Sequence, residues 1–334
     1  MPNASDRTES AEDRLIARYF RPLATHPGAF GLGDDAAAVT PPPGCDLVLT
    51  TDGVIAGVHF FADDPPDTIG RKALRMNLSD LAAKGAKPLG FLLALALPDG
   101  SDEAWLAGFA RGLGEDAVEY GCPLLGGDTD RTPGPASVSI TAFGVVPQGK
   151  MTRRSTAAAG DHVLVTGTIG DAALGLKLRR DHGLAGQWRL TQAMSAHLAQ
   201  RYLLPQPRNA LAEAVLHHAA AAMDVSDGLA GDLDKLCRAS SVAAEIEVAH
   251  VPFSDAVRAA IAAEPALVET VLTGGDDYEI VATVAPEKLA AFRKAAAAAG
   301  VAVAEIGRLR AGEGARFVQG GKALAFARPS FSHF

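Results

Sequence analysis

The stretch at positions 68–98, TIGRKALRMNLSDLAAKGAKPLGFLLALALP, combines a helical pattern with a strand pattern. Its first half has apolar residues three and four positions apart, which predicts a helix over 68–84 that stops at Gly85. The apolar run 89–97, closed by Pro98, predicts a buried strand. Elsewhere, strand patterns occur both in groups and in alternation with helices. This favours the α+β class, with two mixed-sheet α/β domains, over one doubly wound sheet.

The length of 334 residues suits two domains of about 150–170 residues each. The loop Pro147-Gln148-Gly149-Lys150 follows a strand pattern and is the best candidate for the boundary between them. We therefore predict an N-terminal domain over 1–148 and a C-terminal domain over 149–334.

Composition excludes several classes of protein. Hydrophobic residues make up 48% of the chain and charged residues 21%, as in ordinary globular proteins. The net charge of −8, without clusters of Lys or Arg, argues against nucleic acid or an anionic membrane as a partner. The sequence has no apolar run long enough for a transmembrane helix, and its polar start does not resemble a signal peptide. Three widely spaced cysteines indicate a reducing compartment, so we expect a cytoplasmic protein.

Two glycine motifs partly match phosphate-binding loops and are better interpreted as plain loops. Segment 144–151, GVVPQGKM, has Met where a P-loop needs Ser or Thr to hold Mg²⁺. Segment 31–36, GLGDDA, matches GxGxxA, but the prolines at 41–43 prevent the helix that a dinucleotide fold requires next.

Aspartates recur beside glycine or at the ends of apolar runs. The segments are GDD at 33–35, TTDG at 50–53, NLSD at 77–80, GGDT at 126–129, DVSDG at 224–228 and GGDDYE at 274–279. Strand ends support functional side chains, and glycine lets the backbone approach a ligand. We therefore expect Asp52, Asp128 and Asp224 to lie at the ends of strands.

Any one of these aspartates could be an ordinary turn or cap residue, but six such segments in one chain favour a shared site. Several carboxylates in one place cannot all stay ionised without cations. Carboxylate oxygens suit Mg²⁺, which usually binds one or two carboxylates together with substrate phosphates. The pattern therefore predicts a polyphosphate that binds with Mg²⁺.

Longer motifs around these aspartates resemble the thiamine-monophosphate kinase family, within the superfamily of aminoimidazole ribonucleotide synthetase and selenophosphate synthetase. They are GLGDDAAAV (31–39), LTTDGVIAGVHF (49–60), KALRMNLSDLAAKGAKP (72–88), LLGGDTDR (124–131), MDVSDGLAGDL (223–233) and LTGGDDYEI (272–280). The resemblance runs from near Glu12 to the C-terminus, with the motifs in family order.

The resemblance implies a two-domain α+β enzyme that forms a homodimer through its N-terminal domain. It implies that ATP and Mg²⁺ bind mainly on that domain. The implied reaction transfers a phosphate from ATP to thiamine monophosphate and yields thiamine diphosphate.

The resemblance also implies roles for individual residues. The matching metal ligands are Asp35, Thr50, Thr51, Asp52, Asp80, Asp128, Asp224 and Asp227. The matching nucleotide contacts are Gly127, Arg154 and Ser226, and the matching substrate contacts are His59, Asp276 and Phe331. The residues expected to carry catalysis are Asp52, Asp128 and Arg154, the last through a guanidinium fork suited to phosphate.

The sequence departs from the family pattern at three of these positions. Asp stands at 276 where the family more often has Glu, Phe at 331 for Tyr or Trp, and Thr at 50 for Ser. Phe keeps the stacking face and loses the polar group. Outside this set, Lys84 and Lys87 are expected to be solvated.

Two alternatives stay open at this point. One is a different enzyme of the superfamily. Selenophosphate synthetase would need a reactive cysteine in a glycine-rich loop, and Cys45 after the prolines at 41–43 lacks that setting. The other is a non-catalytic scaffold, which would bind ATP without releasing ADP.

Overall fold

The computed structural model describes residues 10–100, 102–328 and 330–331. Contacts among them divide the chain into two compact units. The first unit contains 10–43, 49–77 and 88–144, and the second contains 44–48, 78–87 and 145–331.

The first unit is built on a four-stranded sheet with strand order β1-β4-β2-β3. Its strands are β1 (Cys45–Ile55), β2 (Lys87–Pro98), β3 (Leu124–Thr132) and β4 (Ser137–Pro147). Strands β2 and β3 are parallel, from Phe91 opposite Leu124 to Pro98 opposite Thr132. The helices along this part of the chain are α1 (Ala11–Leu15), α2 (Pro66–Ala83) and α3 (Glu103–Glu119).

Alternation along the strands gives this sheet two different faces. In β4, every second residue from Val138 to Val146 is buried, whereas the residues that alternate with them are half-buried. In β1, Val48 is buried and Leu49 is 60% exposed. Because successive strand residues point to opposite faces, one face packs into the core and the other carries accessible apolar side chains.

Helices α2 and α3 pack with their backbones in close contact. A Cβ atom on Gly70 of α2 would lie 2.6 Å from the carbonyl oxygen of Phe109, and one on Gly112 of α3 would lie 2.1 Å from that of Asp67. Only glycine therefore fits at these two crossing points. Beside them, buried Arg75 donates two hydrogen bonds to the Asp116 carboxylate.

The second unit contains a seven-stranded mixed sheet with strand order β11-β10-β7-β9-β5-β8-β6. Its strands are β5 (His162–Thr166), β6 (Ala221–Val225), β7 (Val242–Glu247), β8 (Glu279–Val284), β9 (Val303–Ala311), β10 (Gly314–Gln319) and β11 (Lys322–Ala323). Strands β7 and β10 are parallel, and the other neighbours are antiparallel.

Helices accompany this sheet along the second half of the chain. They are α4 (Asp171–Arg180), α5 (Leu184–Gln187), α6 (Gln192–Leu203), α7 (Ala212–His218), α8 (Leu229–Ala239), α9 (Asp255–Ala263), α10 (Leu267–Thr273) and α11 (Leu289–Ala298). Strands β5, β6 and β8 are buried along their whole length, as expected for strands with both faces covered.

The α+β prediction is confirmed, and so is the helix–strand pattern that led to it. Helix α2 covers 66–83 against the predicted 68–84, and Gly85 has a positive φ of 70° that only glycine adopts readily. Strand β2 covers 87–98 against the predicted 89–97. Among the described residues, no helix is both long and apolar enough to cross a membrane.

Candidate active site

Strand β1 carries three of the predicted metal ligands, and its alternation divides them between two faces. Thr50 and Asp52 are half-buried and share a face with Val54, which is buried. Thr51 points to the opposite face, where its hydroxyl donates to the Ile140 carbonyl at 3.2 Å. The side-chain oxygens of Thr50 and Asp52 are therefore presented together.

Strand β3 carries Gly127 and Asp128. A Cβ atom at position 127 would lie 1.9 Å from the carbonyl oxygen of Leu93 on β2, so the glycine permits the close approach of these two strands. Asp128 is exposed, and its carboxylate accepts a hydrogen bond from the Thr129 backbone at 3.0 Å.

The two predicted catalytic aspartates of the first unit lie on opposite edges of its sheet. β1 and β3 are the outer strands, with β4 and β2 between them. Three inter-strand spacings separate their backbones by roughly 14 Å.

The prediction that Asp52 and Asp128 lie at strand ends is wrong, since each has at least three further strand residues on both sides. The prediction failed because polar residues and glycine continue these strands beyond their apolar runs.

Asp35 and His59 lie in loops of the first unit. Asp35 is exposed and follows a tight turn in which Phe30 and Leu32 have positive φ angles of 49° and 57°. His59 follows β1, and its Nδ1 accepts a hydrogen bond from the Ile55 backbone at 3.1 Å. Because Nδ1 accepts, the neutral ring carries its proton on Nε2.

In the second unit, Asp80 and Asp224 act on the same cation. Lys84 donates from its ammonium group to the Ala222 carbonyl at 2.9 Å, two residues before Asp224 in β6. Burial lowers the pKa of Lys84, while the charges of Asp224 and Asp80 raise it and that of Arg154 lowers it. The expectation that Lys84 is solvated is therefore wrong. Lys84 follows the last residue of α2, and nothing in the local sequence indicates that its side chain reaches β6.

Arg154, the predicted phosphate-binding cation, has an exposed side chain. Its backbone carbonyl accepts a hydrogen bond from the Ser240 hydroxyl at 2.8 Å, which holds this stretch next to the end of α8. The charge of Arg154 is one of the influences that lower the pKa of Lys84.

Asp227 follows β6 and is held by helix α8. The ammonium group of Lys235 donates to the Asp227 carboxylate at 2.6 Å and to the buried Asp232 carboxylate at 2.9 Å. Asp232 also accepts from the Asp227 backbone at 2.9 Å. Sequence reasoning missed Lys235, although its spacing of three from Asp232 on a helical pattern is the signal for such a pair.

The predicted substrate residues of the second unit converge on the loop after β6. The Asp276 backbone donates to the Ser226 carbonyl at 2.9 Å, and the Phe331 backbone donates to the Asp227 carbonyl at 3.0 Å. The Asp276 carboxylate accepts from the Tyr278 hydroxyl at 3.4 Å. The Phe331 side chain is 50% exposed. Ser226, Asp227, Asp276 and Phe331 therefore form one group, which we call the acceptor group.

The predicted metal ligands are six aspartates and two threonines. Across the described ranges 10–100, 102–328 and 330–331, no group of three or more His, Cys, Asp or Glu side chains is arranged to hold a metal ion. The predicted ligands nevertheless offer oxygen atoms alone, which is the chemistry Mg²⁺ requires. An ion that binds through one or two carboxylates and substrate phosphates needs no larger protein cluster.

Comparisons with known proteins identify the chain's relatives. Residues 33–146 match the family model for the AIR synthase related protein, N-terminal domain, and residues 158–319 match the model for its C-terminal domain. The thiamine-monophosphate kinase of Caulobacter vibrioides is 44% identical over 322 residues, which cover 95% of this chain and 89% of that protein.

Two solved structures resemble the whole chain. The thiamine-monophosphate kinase from Stenotrophomonas maltophilia aligns with a TM-score of 0.81 and 38% identity, over 93% of this chain and 96% of that one. AaThiL complexed with AMPPCP and TMP aligns with a TM-score of 0.75 and 30% identity, over 92% and 97%. This chain therefore belongs to the thiamine-monophosphate kinase family.

Proposed function

We propose that this protein transfers the terminal phosphate of ATP to thiamine monophosphate, giving ADP and thiamine diphosphate. The observation that carries the proposal is the family relationship over nearly the whole chain, including a relative of known structure complexed with AMPPCP and TMP. AMPPCP is an analogue of ATP, so that relative holds both classes of molecule that the reaction joins.

The acceptor group suits thiamine monophosphate. The thiazolium ring of thiamine is cationic, and the Asp276 carboxylate is assigned to supply negative charge beside it. The half-exposed ring of Phe331 offers an aromatic face on which a flat heterocycle can stack. The substrate role of these residues, and of His59, is part of the proposal.

The acceptor phosphate needs little chemical activation. Its second pKa lies near 6, so it is mostly a dianion at pH 7 and requires no strong general base. What the reaction needs is alignment of two polyanions and neutralisation of their charge. We assign Arg154, Gly127 and Ser226 to the nucleotide phosphates, with Arg154 supplying a planar cation.

Magnesium fits the oxygen donors of this chain. The residues proposed to hold it are Asp35, Thr50, Thr51, Asp52, Asp80, Asp128, Asp224 and Asp227. When bound, it would supply positive charge to the phosphate oxygens during transfer. Several ions are proposed. Asp52 and Asp128, on opposite edges of the sheet, are assigned as the main catalytic ligands of separate ions, and Asp80 and Asp224 as a pair that share one local environment with Lys84.

We also propose a homodimer formed through the first unit. Apolar side chains are accessible on two strands of its sheet: on β1, Leu49 is 60% exposed and Ile55 38%, and on β2, Leu92 is 36% exposed. Exposed apolar side chains that recur along strands are typical of interaction surfaces. The N-terminal domain over 1–148, with 149–334 as the second domain, is proposed as the dimerising part of a cytoplasmic enzyme that has no nucleic-acid or membrane partner.

Light scattering after size exclusion tests the dimer. The wild-type protein should have twice the mass of one chain, and Leu49→Asp should reduce it to one. Val118→Asp is the matched control, because Val118 is an 81% exposed apolar residue on helix α3 rather than on the sheet. A monomeric wild type, or a dimer unaffected by Leu49→Asp, would contradict this assignment.

An acceptor panel tests the activity. ADP release from ATP is coupled to a spectroscopic readout in the presence of thiamine monophosphate, an amidine acceptor, selenide or no acceptor. We expect ADP release that depends on thiamine monophosphate. Turnover with an amidine or selenide alone would indicate another enzyme of the superfamily, and nucleotide binding without ADP release would indicate a scaffold.

A further inference from the structure

The turn that carries Asp276 has an unusual backbone. Asp276 and Tyr278 both have left-handed conformations, with φ angles of 73° and 49°. Residues other than glycine adopt this region at an energetic cost, because the Cβ atom crowds the backbone. Two such residues in one turn persist only where the surroundings hold them.

Strand β6 and the loop after it hold the turn from one side. The Tyr278 backbone donates to the Val225 carbonyl at 2.9 Å, and the Asp276 backbone donates to the Ser226 carbonyl at the same distance. The turn is therefore attached to the segment that leads directly into Asp227.

Two arginines hold the other side through Glu279, the first residue of β8. Glu279 is fully buried. Arg208 donates from Nε to one of its carboxylate oxygens at 2.6 Å and from a terminal nitrogen to the other oxygen. Arg201 donates to the Glu279 carboxylate at 2.8 Å and to the Asp277 carbonyl, between the two left-handed residues, at 3.2 Å.

This arrangement couples the arginines to the turn. The Thr166 hydroxyl also donates to the Glu279 carboxylate, at 2.6 Å, and the two arginines supply the positive charge. A buried carboxylate that loses such a partner keeps its desolvation cost without compensation, so the position of the Glu279 side chain depends on the guanidinium groups. Arg208 binds with both ends of its planar fork, which fixes the direction as well as the position of the carboxylate. Arg201 adds a direct bond to the turn itself.

We propose that Arg201 and Arg208, joined through Glu279, are positioning residues for the acceptor substrate. They hold the left-handed turn, and through it the Asp276 carboxylate, beside Ser226 and Asp227. The inference rests on the proposed function, because it assigns the Asp276 carboxylate to binding of thiamine monophosphate. Neither arginine belongs to the acceptor group, so each acts on the substrate only through Asp276.

A double-mutant cycle separates this role from a purely structural one. Arg208→Gln removes the fork, and Arg208 is 19% exposed, so the substitution leaves no large buried gap. Asp276→Asn removes the charge and keeps a side chain that tolerates the left-handed region. The two single variants, the double variant and wild type are compared by the KM for thiamine monophosphate, the KM for ATP and kcat.

We expect Arg208→Gln to raise the KM for thiamine monophosphate by about tenfold and to change the KM for ATP less than twofold. In the Asp276→Asn background, Arg208→Gln should raise the KM for thiamine monophosphate by less than about twofold, because the carboxylate that Arg208 positions is already gone. Arg208→Lys, which keeps the charge, should recover part of the loss and serves as the test variant if Arg208→Gln does not fold. Arg293→Gln, which removes an exposed ion pair with Glu305, is the matched control and should leave both KM values unchanged.

An equal rise in the two KM values, or the same fold-change in both backgrounds, would overturn the inference while leaving the proposed function intact. A wild-type protein that does not phosphorylate thiamine monophosphate would overturn the proposed function, and this inference with it.

Discussion

Gly126 and Gly127 are neighbours in strand β3, and only one of them has room for a side chain. A Cβ atom on Gly127 would lie 1.9 Å from the Leu93 carbonyl oxygen, whereas one on Gly126 would lie 3.4 Å from the Leu92 side chain. At the scale of single residues, the second glycine of the GGD motif is therefore fixed by its backbone neighbour. The first has no such constraint.

Gly127→Ala should destabilise the protein, and Gly126→Ala should not. We expect Gly127→Ala to lower the free energy of unfolding by about 1–3 kcal/mol or more, since β2 and β3 must separate to admit the methyl group. Denaturant unfolding of the two variants measures the difference. Equal stability of the two variants would show that the close approach of β2 and β3 is not maintained.

Asp277 predicts a pH dependence of stability. Burial raises the pKa of the Asp277 carboxyl well above its ordinary value, while the hydrogen bond from the Gly170 backbone and the charge of Arg201 oppose the shift. The folded protein thus binds this proton more tightly than the unfolded chain does. Protonation of Asp277 therefore adds to the free energy of unfolding. This contribution is full below the ordinary aspartate pKa of about 4 and is lost as pH rises through the raised pKa of the folded state.

Asp277→Asn should flatten this dependence, because an amide does not ionise. Between pH 4 and pH 8 we expect the free energy of unfolding of wild type to fall relative to that of Asp277→Asn, measured by denaturant unfolding at each pH. Parallel curves for the two proteins would contradict the assignment.

At the scale of elements, the ends of helices follow from local chemistry. Helix α3 begins after Asp102, whose carboxylate accepts a hydrogen bond from the Trp105 backbone at 2.6 Å. It ends before Gly121, which has a positive φ of 60°. The cap depends on one side chain and the stop on one glycine, so both ends are local features.

Asp102→Ala should lower the free energy of unfolding by about 1 kcal/mol through loss of this cap, with kcat unchanged. Asp99→Ala is the matched control. Asp99 is a nearby exposed aspartate, and its described partner is the exposed Arg131. Chemical unfolding should separate the two variants. A loss of stability as large for Asp99→Ala would mean that surface charge, and not capping, is responsible.

Sequence patterns predicted helices and strands well where the local signal was strong, and less well where tertiary contacts decide. The helix at 66–83 and its stop at Gly85 followed from spacing and glycine. The positions of Asp52 and Asp128 inside strands did not, because a strand continues as long as its neighbours offer hydrogen bonds, whatever its polarity.

In the candidate site, too, motifs identified some residues, whereas contacts with distant parts of the chain determine the surroundings of others. The family resemblance named Ser226, Asp227, Asp276 and Phe331 in three different roles. The structure joins them in two pairs, Asp276 with Ser226 and Phe331 with Asp227, through backbone hydrogen bonds. The environment of Lys84 was not predicted, since its burial depends on β6, which lies far along the chain. The arginines of the Glu279 network were missed for the same reason.

At the scale of the whole molecule, family membership and the described residues both support the proposed phosphate transfer. The chain matches family models over 33–146 and 158–319. Its two units each contribute part of the predicted residue set. The protein would have to bind ATP and thiamine monophosphate together and align them, with oxygen ligands and Arg154 offsetting the charge of the two phosphates.

The most direct measurement of this account follows the phosphate itself. ATP labelled in its terminal phosphate is incubated with thiamine monophosphate, Mg²⁺ and the purified protein, and the products are separated by chromatography. The account predicts labelled thiamine diphosphate in equal amount to ADP. Release of ADP with all of the label in inorganic phosphate, or no thiamine diphosphate at any protein concentration, would contradict it.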